Sequence, residues 1–405
     1  MARLAVISYH TSPLAQPGTG DGGGMNVYVR ELSSALARLG NEVDVYTRRD
    51  NPFAPDTINV EPGFRVHNIS AGPASVLERN ELPLFVDEFT DNVAEIFRTS
   101  ETPDAIHANY WLSGLSGHRL KHEMNIPLIM TFHTLERVKA ETFEGESEER
   151  AAQEASIFAC ADAVLASCDV EAEQIVRFYN ADPSRVHVVP LGVEHAFFSP
   201  GHKPQARRAL GIDSDATLLL FVGRLQALKG VDLALETLIE MRNRGENAML
   251  AIIGGPSGPD GKLALNELHN RVSEAGVIGN VMFVAPQSHQ LLSSWMRAAD
   301  VTLVPSRAES FGLVALESSA CGTPVVASNV GGLKTLIEPG ENGFLIDSRD
   351  PKVWADYVAK ATSTEDVMKM SSSAVLLARK YTWRSAAQSL AFLTEEIART
   401  SLLRC

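Results

Sequence analysis

The chain has 405 residues, 45% of them hydrophobic and 21% charged, which is the composition of a globular protein and excludes a disordered or fibrous chain. At about 150 residues a domain, this length predicts two or three domains. Its 36 basic and 50 acidic residues give a net charge of −14, so the chain lacks the basic surface of a protein that binds nucleic acid.

Hydropathy and cysteine content set the expected compartment. No apolar run approaches the ~18–20 residues that cross a bilayer, and Ser8 and His10 come too early for a secretory signal. The cysteines have no CxxC or paired spacing, which predicts neither a disulfide framework nor a zinc site. They are Cys160, Cys168, Cys321 and Cys405. We therefore expect a reduced, cytoplasmic protein with no integral membrane segment.

Short apolar runs alternate with amphipathic helical stretches along the first half of the chain. The predicted strands are 4–10, 42–48, 64–70, 105–110, 127–134 and 163–167. A helix is predicted over 25–39, with Gly40-Asn41 as its C-terminal cap. Continuous apolar strands separated by helices predict a parallel sheet covered on both faces. The Glu-rich stretch 136–150 is interpreted as a solvated loop or a helix start.

The alternation pauses at 189–201, a stretch rich in turn-forming residues, and then restarts. The predicted strands of the second half are 217–224, 248–254, 281–286, 301–305, 324–328 and 343–346. This organisation predicts an α/β protein with two doubly wound, Rossmann-like domains, 1–193 and 194–382, facing each other across a cleft. The last helix, 382–399, has no strand after it, and we expect residues 383–405 to cross back to the first domain. Ligands should bind at the carboxyl ends of the strands.

A glycine-rich segment, residues 17–26, follows the first predicted strand and opens directly into a helix. Glycines let backbone amides approach an anion, and a helix N-terminus adds its dipole and free N–H groups. The segment is neither a Walker loop nor a clean GxGxxG motif. A plain strand–helix connection is the alternative interpretation.

Two charged motifs follow predicted strands of the second half. Arg224 and Lys229 are five residues apart, and a guanidinium fork with a point charge suits a diphosphate. Glu309 lies in a loop before a helix, and Glu317 lies eight residues later, about two turns into that helix and on the same side. Carboxylates there would accept hydrogen bonds from sugar or ribose hydroxyls. Surface cations and ordinary glutamates remain the alternatives.

Two histidines, His10 and His133, end predicted strands that border one cleft, so a functional role stays open for both beside the structural role usual for such a histidine. His107 and His118 lack such a context and are interpreted as structural. No Ser-His-Asp or Cys-His constellation has supporting spacing.

Taken together, the glycine-rich loop, the Gly-Arg…Lys-Gly loop and the Glu-x7-Glu block resemble the retaining GT-B glycosyltransferases of family 4, over essentially the whole chain. Within that family, four segments are most similar to members that transfer N-acetylglucosamine from UDP-GlcNAc to inositol phosphate in mycothiol biosynthesis. They are residues 10–28, Tyr110-Trp-Leu-Ser-Gly, His133-Thr-Leu with Val138-Lys139, and Gly254-Gly-Pro-Ser-Gly-Pro. The resemblance implies a retaining transferase, and a homodimer is compatible with it.

For the donor, the resemblance implies that Arg224, Lys229 and the amide of Gly24 hold the UDP diphosphate. It also implies that Glu317 binds the ribose and that Glu309 holds the sugar. The implied catalytic residues are His133, Arg224, Lys229 and Glu309. The implied donor-binding residues are Gln16, Pro17, Gly24, Arg224, Lys229, Gln287, Glu309, Phe311, Gly312, Leu313 and Glu317.

For the acceptor, the resemblance implies a phosphate against Tyr110, Thr134 and Arg150, with His10 and Asn26 touching the inositol ring. The implied acceptor-binding residues are His10, Asp21, Gly22, Gly23, Asn26, Arg79, Tyr110, Thr134 and Arg150. Two positions depart from the family pattern. Arg79 replaces a phosphate-binding lysine, and Gln287 replaces a donor-side arginine. Arginine still binds phosphate, with a different reach.

No cofactor is expected beyond the UDP-sugar substrate. Mg²⁺ is not essential in this interpretation, because no Asp-x-Asp stands at a strand end and the two cations can neutralise the diphosphate. No carboxylate is placed as a nucleophile, and the resemblance implies a front-face route in which the departing phosphate oxygen takes the acceptor proton. Three alternatives stay open. The first is the same fold with another acceptor, either a sugar phosphate, as in sucrose-phosphate synthase, or a phosphoinositide. The second is a UDP-GlcNAc epimerase. The third is a non-enzymatic module that binds a sugar nucleotide.

Overall fold

The structure, a computed structural model, describes residues 2–18, 20, 22–141, 147–212, 215–257, 261–363, 367–399, 402–403 and 405. It divides into two compact units, each built on one α/β sheet. The first unit comprises Met1–Ala15, Met25–Gly192 and Trp383–Cys405, and the second comprises Gln16–Gly24 and Val193–Thr382. The predicted α/β class with two Rossmann-like domains is confirmed.

The first unit contains these strands: β1 (Arg3–Ile7), β2 (Glu42–Arg48), β3 (Thr57–Glu61), β4 (Phe64–Ile69), β5 (Ala105–Asn109), β6 (Leu128–Thr131), β7 (Ala163–Ala166) and β8 (Val186–Val188). Its helices are α1 (Gly24–Arg38), α2 (Val86–Thr99), α3 (Trp111–Met124), α4 (Glu136–Ala140), α5 (Glu148–Cys160) and α6 (Asp169–Tyr179).

The second unit contains β9 (Thr217–Val222), β10 (Ala248–Ile253), β11 (Val281–Val284), β12 (Val301–Val304), β13 (Val325–Ser328) and β14 (Gly343–Ile346). Its helices are α7 (Lys203–Leu210), α8 (Val231–Asn243), α9 (Gly261–Glu274), α10 (His289–Ala298), α11 (Leu313–Ala320), α12 (Leu333–Leu336), α13 (Pro351–Ala361) and α14 (Val367–Ala378). Helix α15 (Trp383–Ile397) follows along the chain and belongs to the first unit. None of the helices that the structure describes is long and apolar enough to cross a membrane.

The sheet of the first unit has the strand order β3-β4-β2-β1-β5-β6-β7-β8. All neighbouring strands are parallel except β3, which runs antiparallel to β4. Strand β2 lies on one side of β1, and β5, which comes later in the chain, lies on the other side of β1. The carboxyl ends of β1 and β5 therefore form a topological switch point, where open α/β sheets bind ligands.

The second sheet has the order β11-β10-β9-β12-β13-β14 and is parallel throughout. Strand β9, in the middle of this sheet, is buried on both faces, because its consecutive residues Leu218, Leu219 and Leu220 are all fully buried. Here β10 lies on one side of β9, and β12, which comes later in the chain, lies on the other side of β9. The switch point of this unit is therefore at the ends of β9 and β12.

Residues 16–24, which include most of the glycine-rich segment, belong to the second unit, whereas the predicted division at residue 193 places them in the first domain. The hydroxyl of Ser257, in the second unit, donates to the carbonyl of Gly20 at 2.8 Å. An ideal Cβ on Gly18 would lie 3.1 Å from Cβ of Pro286, also in the second unit. These contacts place the loop in the second unit. They join residues that are far apart in sequence, so the local sequence could not indicate them.

The cysteines correct a prediction. Cys160 ends α5 and is joined to Cys405 by a disulfide, with 5.4 Å between the Cα atoms and a sequence separation of 245. Cys168 and Cys321 are buried and form no disulfide within the described part of the chain. Spacing along the sequence could not indicate the pair, because the return of α15 to the first unit brings the two residues together.

Candidate active site

An ion pair occupies the switch point of the second unit. Lys229 follows β9 in a short 3-10 turn, and its Nζ lies 2.7 Å from Oε2 of Glu309, which follows β12. The hydroxyl of Ser306 donates to the same carboxylate oxygen at 3.1 Å. Both members of the pair are partly open to solvent. Of the three N–H donors of the Lys229 ammonium, Glu309 takes one.

Glycines allow close backbone packing around this pair. A Cβ on Gly230 would lie 2.1 Å from the carbonyl oxygen of Pro305, and one on Gly331 would lie 1.8 Å from that of Glu309. Both glycines have positive φ, +71° and +46°. The amide of Gly332 donates to the Glu309 carbonyl at 3.0 Å, so the loop after β13 supports the Glu309 loop.

Arg224 also follows β9, and its environment includes the glycine-rich loop. An ideal Cβ on Gly23 would lie 3.7 Å from Nε of Arg224. The guanidinium contacts Oγ of Ser257 at 3.5 Å, and Gln226 Nε2 donates to that oxygen at 3.1 Å. Since Ser257 also binds Gly20, one buried hydroxyl joins the Arg224 loop to the glycine-rich loop.

The start of α11 brings several predicted donor residues together. Gly312 has φ +104° and precedes Leu313, the first residue of α11. A Cβ on Gly24 would lie 3.4 Å from Cδ1 of Leu313, so Gly24, which belongs to the second unit, packs against the start of this helix. Phe311 is buried, with its ring 5.8 Å from that of Tyr381.

Glu317 lies in the second turn of α11 and is buried. Because the helix begins at Leu313, Glu317 lies about one turn into it, not the predicted two turns. Gln287 turns back on its own backbone, and its Nε2 donates to the Ala285 carbonyl at 2.6 Å. Gln16 is exposed and Pro17 is half-buried in the same unit.

The switch point of the first unit brings His10 and Tyr110 together, with ring centroids 4.5 Å apart. Tyr110 follows β5 with φ 76° and ψ 154°, a backbone region that is nearly restricted to glycine and costs about 1–3 kcal/mol. His133, after β6, also has a positive φ of 62°. Such strain at the ends of strands indicates a functional constraint on these two residues.

Arg150 contacts two predicted acceptor residues through its guanidinium. Nη1 donates to the Tyr110 hydroxyl at 3.3 Å, and Nη2 donates to the carbonyl and hydroxyl of Thr134 at 3.1 and 3.3 Å. Glu136 pairs with Nη1 at 3.0 Å, and Glu154 accepts from Nε at 2.8 Å. A phosphate would therefore contact Arg150 in exchange for one of these partners, and Arg150 also orients Tyr110 and Thr134.

Lys139, on α4, lies beside Arg150, which is on α5. Burial, followed by the charge of Arg150, lowers the pKa of Lys139 from 10.5 to about 8, and Arg79 acts in the same direction. Glu136, 3.7 Å from Lys139, and Glu154 oppose this shift. Lys139 and Arg150 therefore share one neighbourhood with Glu136 and Glu154, and an anion bound there would stabilise the protonated lysine.

His133 is neutral at physiological pH. Burial lowers its pKa to about 3, and the charges of His107 and His10 add to this effect. Its Nε2 lies 2.9 Å from Oδ1 of Asn109. Because an amide oxygen only accepts, Nε2 carries the proton, and Nδ1 is the unprotonated ring nitrogen. Such a histidine can accept a hydrogen bond from a hydroxyl but adds no positive charge.

The remaining predicted acceptor residues are spread over both units. Asn26 is buried, and its Nδ2 donates to Thr11 and Ser12, so it supports the loop after β1. Arg79 is exposed in the first unit. Gly22 and Gly23 belong to the second unit, and Asp21 lies outside the described residues.

Several residues that build these sites had no assigned role from sequence. Ser257, Ser306 and the Gly331–Gly332 pair support the donor-side loops, and Glu136 and Glu154 hold Arg150. A glycine pair directly after a strand is a usable signal, and 331–332 follow β13 closely. Ser257 carries no such signal, since its partner Gly20 is 237 positions away in sequence. Ser306 and Glu154 lie only three and four residues from Glu309 and Arg150, but their residue types alone did not indicate a role.

Family models match both units of the chain. A model described as glycosyl transferases group 1 matches residues 202–375. A model described as a glycosyl transferase 4-like domain matches residues 23–192. The two matches together span most of the chain and correspond to the second and first units.

Proteins of known name extend this similarity. The D-inositol 3-phosphate glycosyltransferase of Xylanimonas cellulosilytica is 42% identical over 401 residues, which cover 96% of this chain and 95% of that protein. The sucrose-phosphate synthase structure from Thermosynechococcus elongatus is 31% identical, with a TM-score of 0.90, and the match covers 98% of this chain and 99% of that one. Anabaena HepE, solved with UDP-glucose, has a TM-score of 0.79 at 18% identity, covering 98% of this chain and 100% of its own, and resembles this chain in fold.

Proposed function

The chain belongs to the group 1, family 4 glycosyltransferases, and from this we propose that it transfers N-acetylglucosamine from UDP-N-acetylglucosamine to inositol 3-phosphate, with retention at the anomeric carbon. That it is a glycosyltransferase follows from the family itself. The donor, the sugar and the acceptor are the proposal.

The cations at the end of β9 support the donor part. Transfer breaks the bond between the anomeric carbon and a phosphate oxygen of the donor, and negative charge moves onto the UDP diphosphate. Lys229 and Arg224 would stabilise this charge, since fixed charges aimed at a developing charge often contribute most to catalysis. The departing phosphate oxygen would accept the proton of the attacking hydroxyl. Glu309 would orient the sugar, and Glu317 would accept hydrogen bonds from the ribose.

The observation that carries the acceptor part is Arg150, whose guanidinium contacts Tyr110 and Thr134. Its charge and that of Arg79 add to burial in lowering the pKa of Lys139. A phosphate would relieve the mutual repulsion of these cations, so the phosphate becomes the anchor of the acceptor. The named relatives act on an inositol phosphate, which meets this requirement. Neutral His133 would accept a hydrogen bond from a sugar hydroxyl.

Product analysis tests the proposal. The enzyme is incubated with UDP-N-acetylglucosamine or UDP-glucose, each with inositol 3-phosphate, free inositol or a hexose phosphate, and products are identified by mass spectrometry. We expect an N-acetylglucosaminyl-inositol phosphate and at least ~100-fold slower transfer to free inositol, which lacks the charged anchor. Equal transfer to free inositol would refute the phosphate anchor. UDP release without any acceptor would refute transfer and indicate an epimerase.

A second candidate function is transfer to a sugar phosphate. The 31% identity and TM-score of 0.90 to sucrose-phosphate synthase favour it, because that likeness extends over 98% of this chain. A phosphate anchor of the same chemistry would serve this acceptor too. A product formed with the hexose phosphate and not with inositol 3-phosphate would select this function.

A further inference from the structure

Four metal-ligating side chains lie together in the first unit, apart from every residue assigned to donor or acceptor. They are His118, His122, Cys160 and Cys405, and their ligand atoms all lie within 4.8 Å of one another. They come from three separate segments: α3, the end of α5 and the residues after α15. The sequence alone predicts no zinc site and a structural His118, because the distances between these segments along the chain hide the cluster.

We propose that these four side chains bind one Zn²⁺ ion when the two cysteines are reduced. His118 and His122 are four residues apart on α3, so both rings project from one face of the helix. Two thiolates and two imidazoles form the Cys2His2 set typical of structural zinc, and a tetrahedral S2N2 set favours zinc over harder divalent ions.

The distances agree with a tetrahedron. With Zn–S of about 2.3 Å and Zn–N of about 2.0–2.1 Å, sulfur and nitrogen ligands lie ~3.6 Å apart. In the structure, Nε2 of His122 lies 3.2 Å from Sγ of Cys160 and 3.3 Å from Sγ of Cys405. Nε2 of His118 lies 4.0 Å from Sγ of Cys405. All three distances are close to the tetrahedral edge.

The disulfide and the zinc site are alternative states of the same sulfurs. The structure joins Cys160 to Cys405, whereas two zinc-bound thiolates would lie ~3.8 Å apart. The 5.4 Å between the Cα atoms permits both states, because rotation about the Cα–Cβ bond of exposed Cys405 moves its sulfur. A thiol or phosphine reductant first supplies the two electrons that convert the disulfide to two thiols and is itself oxidised, to a disulfide or a phosphine oxide. On binding zinc, the two thiols release their protons to solvent, and no electron is transferred in that step.

Contacts that use none of the four ligand atoms hold these segments in place. Nζ of buried Lys121, the neighbour of His122, donates to the Cys160 carbonyl at 2.7 Å and pairs with Asp162 at 2.8 Å. The other carboxylate oxygen of Asp162 accepts from the amide of Leu403 at 2.9 Å. Asp162 therefore fixes the residues beside Cys160 and Cys405 whichever state the sulfurs adopt.

The occupied site would carry no net charge, because the two thiolates balance the charge of Zn²⁺ and both imidazoles are neutral. It would tie α3 and α5 to the segment after α15, which is where the chain returns to the first unit. A structural zinc site stabilises the fold in which its ligands meet. The ion would thus stabilise the packing of the C-terminal segment against the first unit. It would play no part in sugar transfer.

The test uses the full chain, reduced with a phosphine and stripped of metal by a chelator that is then removed. Zn²⁺ binding is measured by competition with a chromophoric chelator, and Co²⁺ serves as a spectroscopic probe. We expect one Zn²⁺ per chain, together with the visible bands of tetrahedral Co²⁺ and a thiolate-to-cobalt charge-transfer band. Cys405→Ser and His122→Ala should each weaken Zn²⁺ binding by at least ~100-fold, the upper end of the loss expected for a perturbed metal shell.

Controls separate this site from adventitious binding. His269→Ala removes an exposed histidine of the second unit, and Cys321→Ser removes a free cysteine; neither should change Zn²⁺ affinity or the cobalt spectrum. Both ligand substitutions lie at exposed side chains, so folding should persist, and circular dichroism checks it. The proposal is overturned if the reduced wild-type chain binds no stoichiometric Zn²⁺, or if Cys405→Ser binds Zn²⁺ as tightly as wild type.

Discussion

Lys229 is the residue whose charge should matter most for turnover. Its ammonium lies 2.7 Å from Glu309 at the switch point of the second sheet, where the diphosphate of the donor would bind. Lys229→Ala should lower kcat by ~10²–10³-fold, the usual effect of removing one preorganised electrostatic group. Steady-state kinetics measures the change. Lys352→Ala, at an exposed lysine of α13, is the matched control and should leave kcat unaltered. Near wild-type turnover in Lys229→Ala would remove this residue from the mechanism.

We expect Lys139 to make the acceptor KM depend on pH. Its pKa is lowered to about 8, so the ammonium loses its proton in the alkaline range, whereas phosphate is already doubly ionised above its second pKa of about 6. Protonated Lys139 favours the anion, and KM for the phosphorylated acceptor should therefore rise as pH increases through about 8. Initial rates between pH 7 and pH 9.5, a range set by that pKa, measure it.

Two variants assign this pH effect to Lys139. Lys139→Met should raise KM at every pH and abolish the inflection, because no titrating ammonium remains. Lys262→Met, at an exposed lysine of α9, should keep the wild-type profile. An inflection that survives in Lys139→Met would show that another group titrates.

The positions of single residues in the fold were easier to predict than their partners. The sequence placed Lys229 and Glu309 at strand ends, and both lie there. Their ion pair joins residues 80 positions apart, so it depends on β9 and β12 being neighbours in the sheet. Likewise, nothing near Arg150 in sequence indicated that Tyr110 would accept a hydrogen bond from it.

At the scale of elements, the loop after β13 determines where Glu309 sits. Any Cβ on Gly331 would lie 1.8 Å from the Glu309 carbonyl oxygen, so Gly331→Ala must displace that loop. A shift of about 1 Å can cost ~100-fold in rate, and we expect kcat to fall ~10–100-fold. Gly340→Ala is the matched control, since Gly340 also has positive φ but no atom within 4 Å of the added Cβ.

Comparing the two glycine variants separates backbone strain from displacement. Both should lose stability, because alanine disfavours positive φ, and thermal unfolding measures that loss. Only Gly331→Ala should also lose activity at a temperature where both remain folded. Equal activities of the two variants would mean that the Glu309 loop tolerates the shift and that its position is not critical.

Burial explains which strands could be predicted. Every predicted strand corresponds to an observed one, because central strands such as β9 are continuous apolar runs. Strands β3 and β8 were not predicted, and both lie at the edges of the first sheet. Edge strands are partly exposed, as Thr57–Glu61 shows, so they need no apolar run and resemble loops in sequence.

At the scale of the whole molecule, the first unit is discontinuous, and the larger segment of the second, Val193–Thr382, is inserted between Gly192 and Trp383. Helix α15 therefore contributes to the stability of a unit whose strands all precede residue 193. Leu390 on α15 is fully buried, whereas Phe392 on the same helix is 72% exposed. Leu390→Ala should destabilise the first unit by about 2–5 kcal/mol, and Phe392→Ala should have little effect. Hydrogen exchange followed by mass spectrometry distinguishes the units: in Leu390→Ala, peptides from β1, β5 and β6 should exchange faster, while those from β9 and β12 keep their protection. Faster exchange confined to β9 and β12 would mean that α15 stabilises the second unit instead.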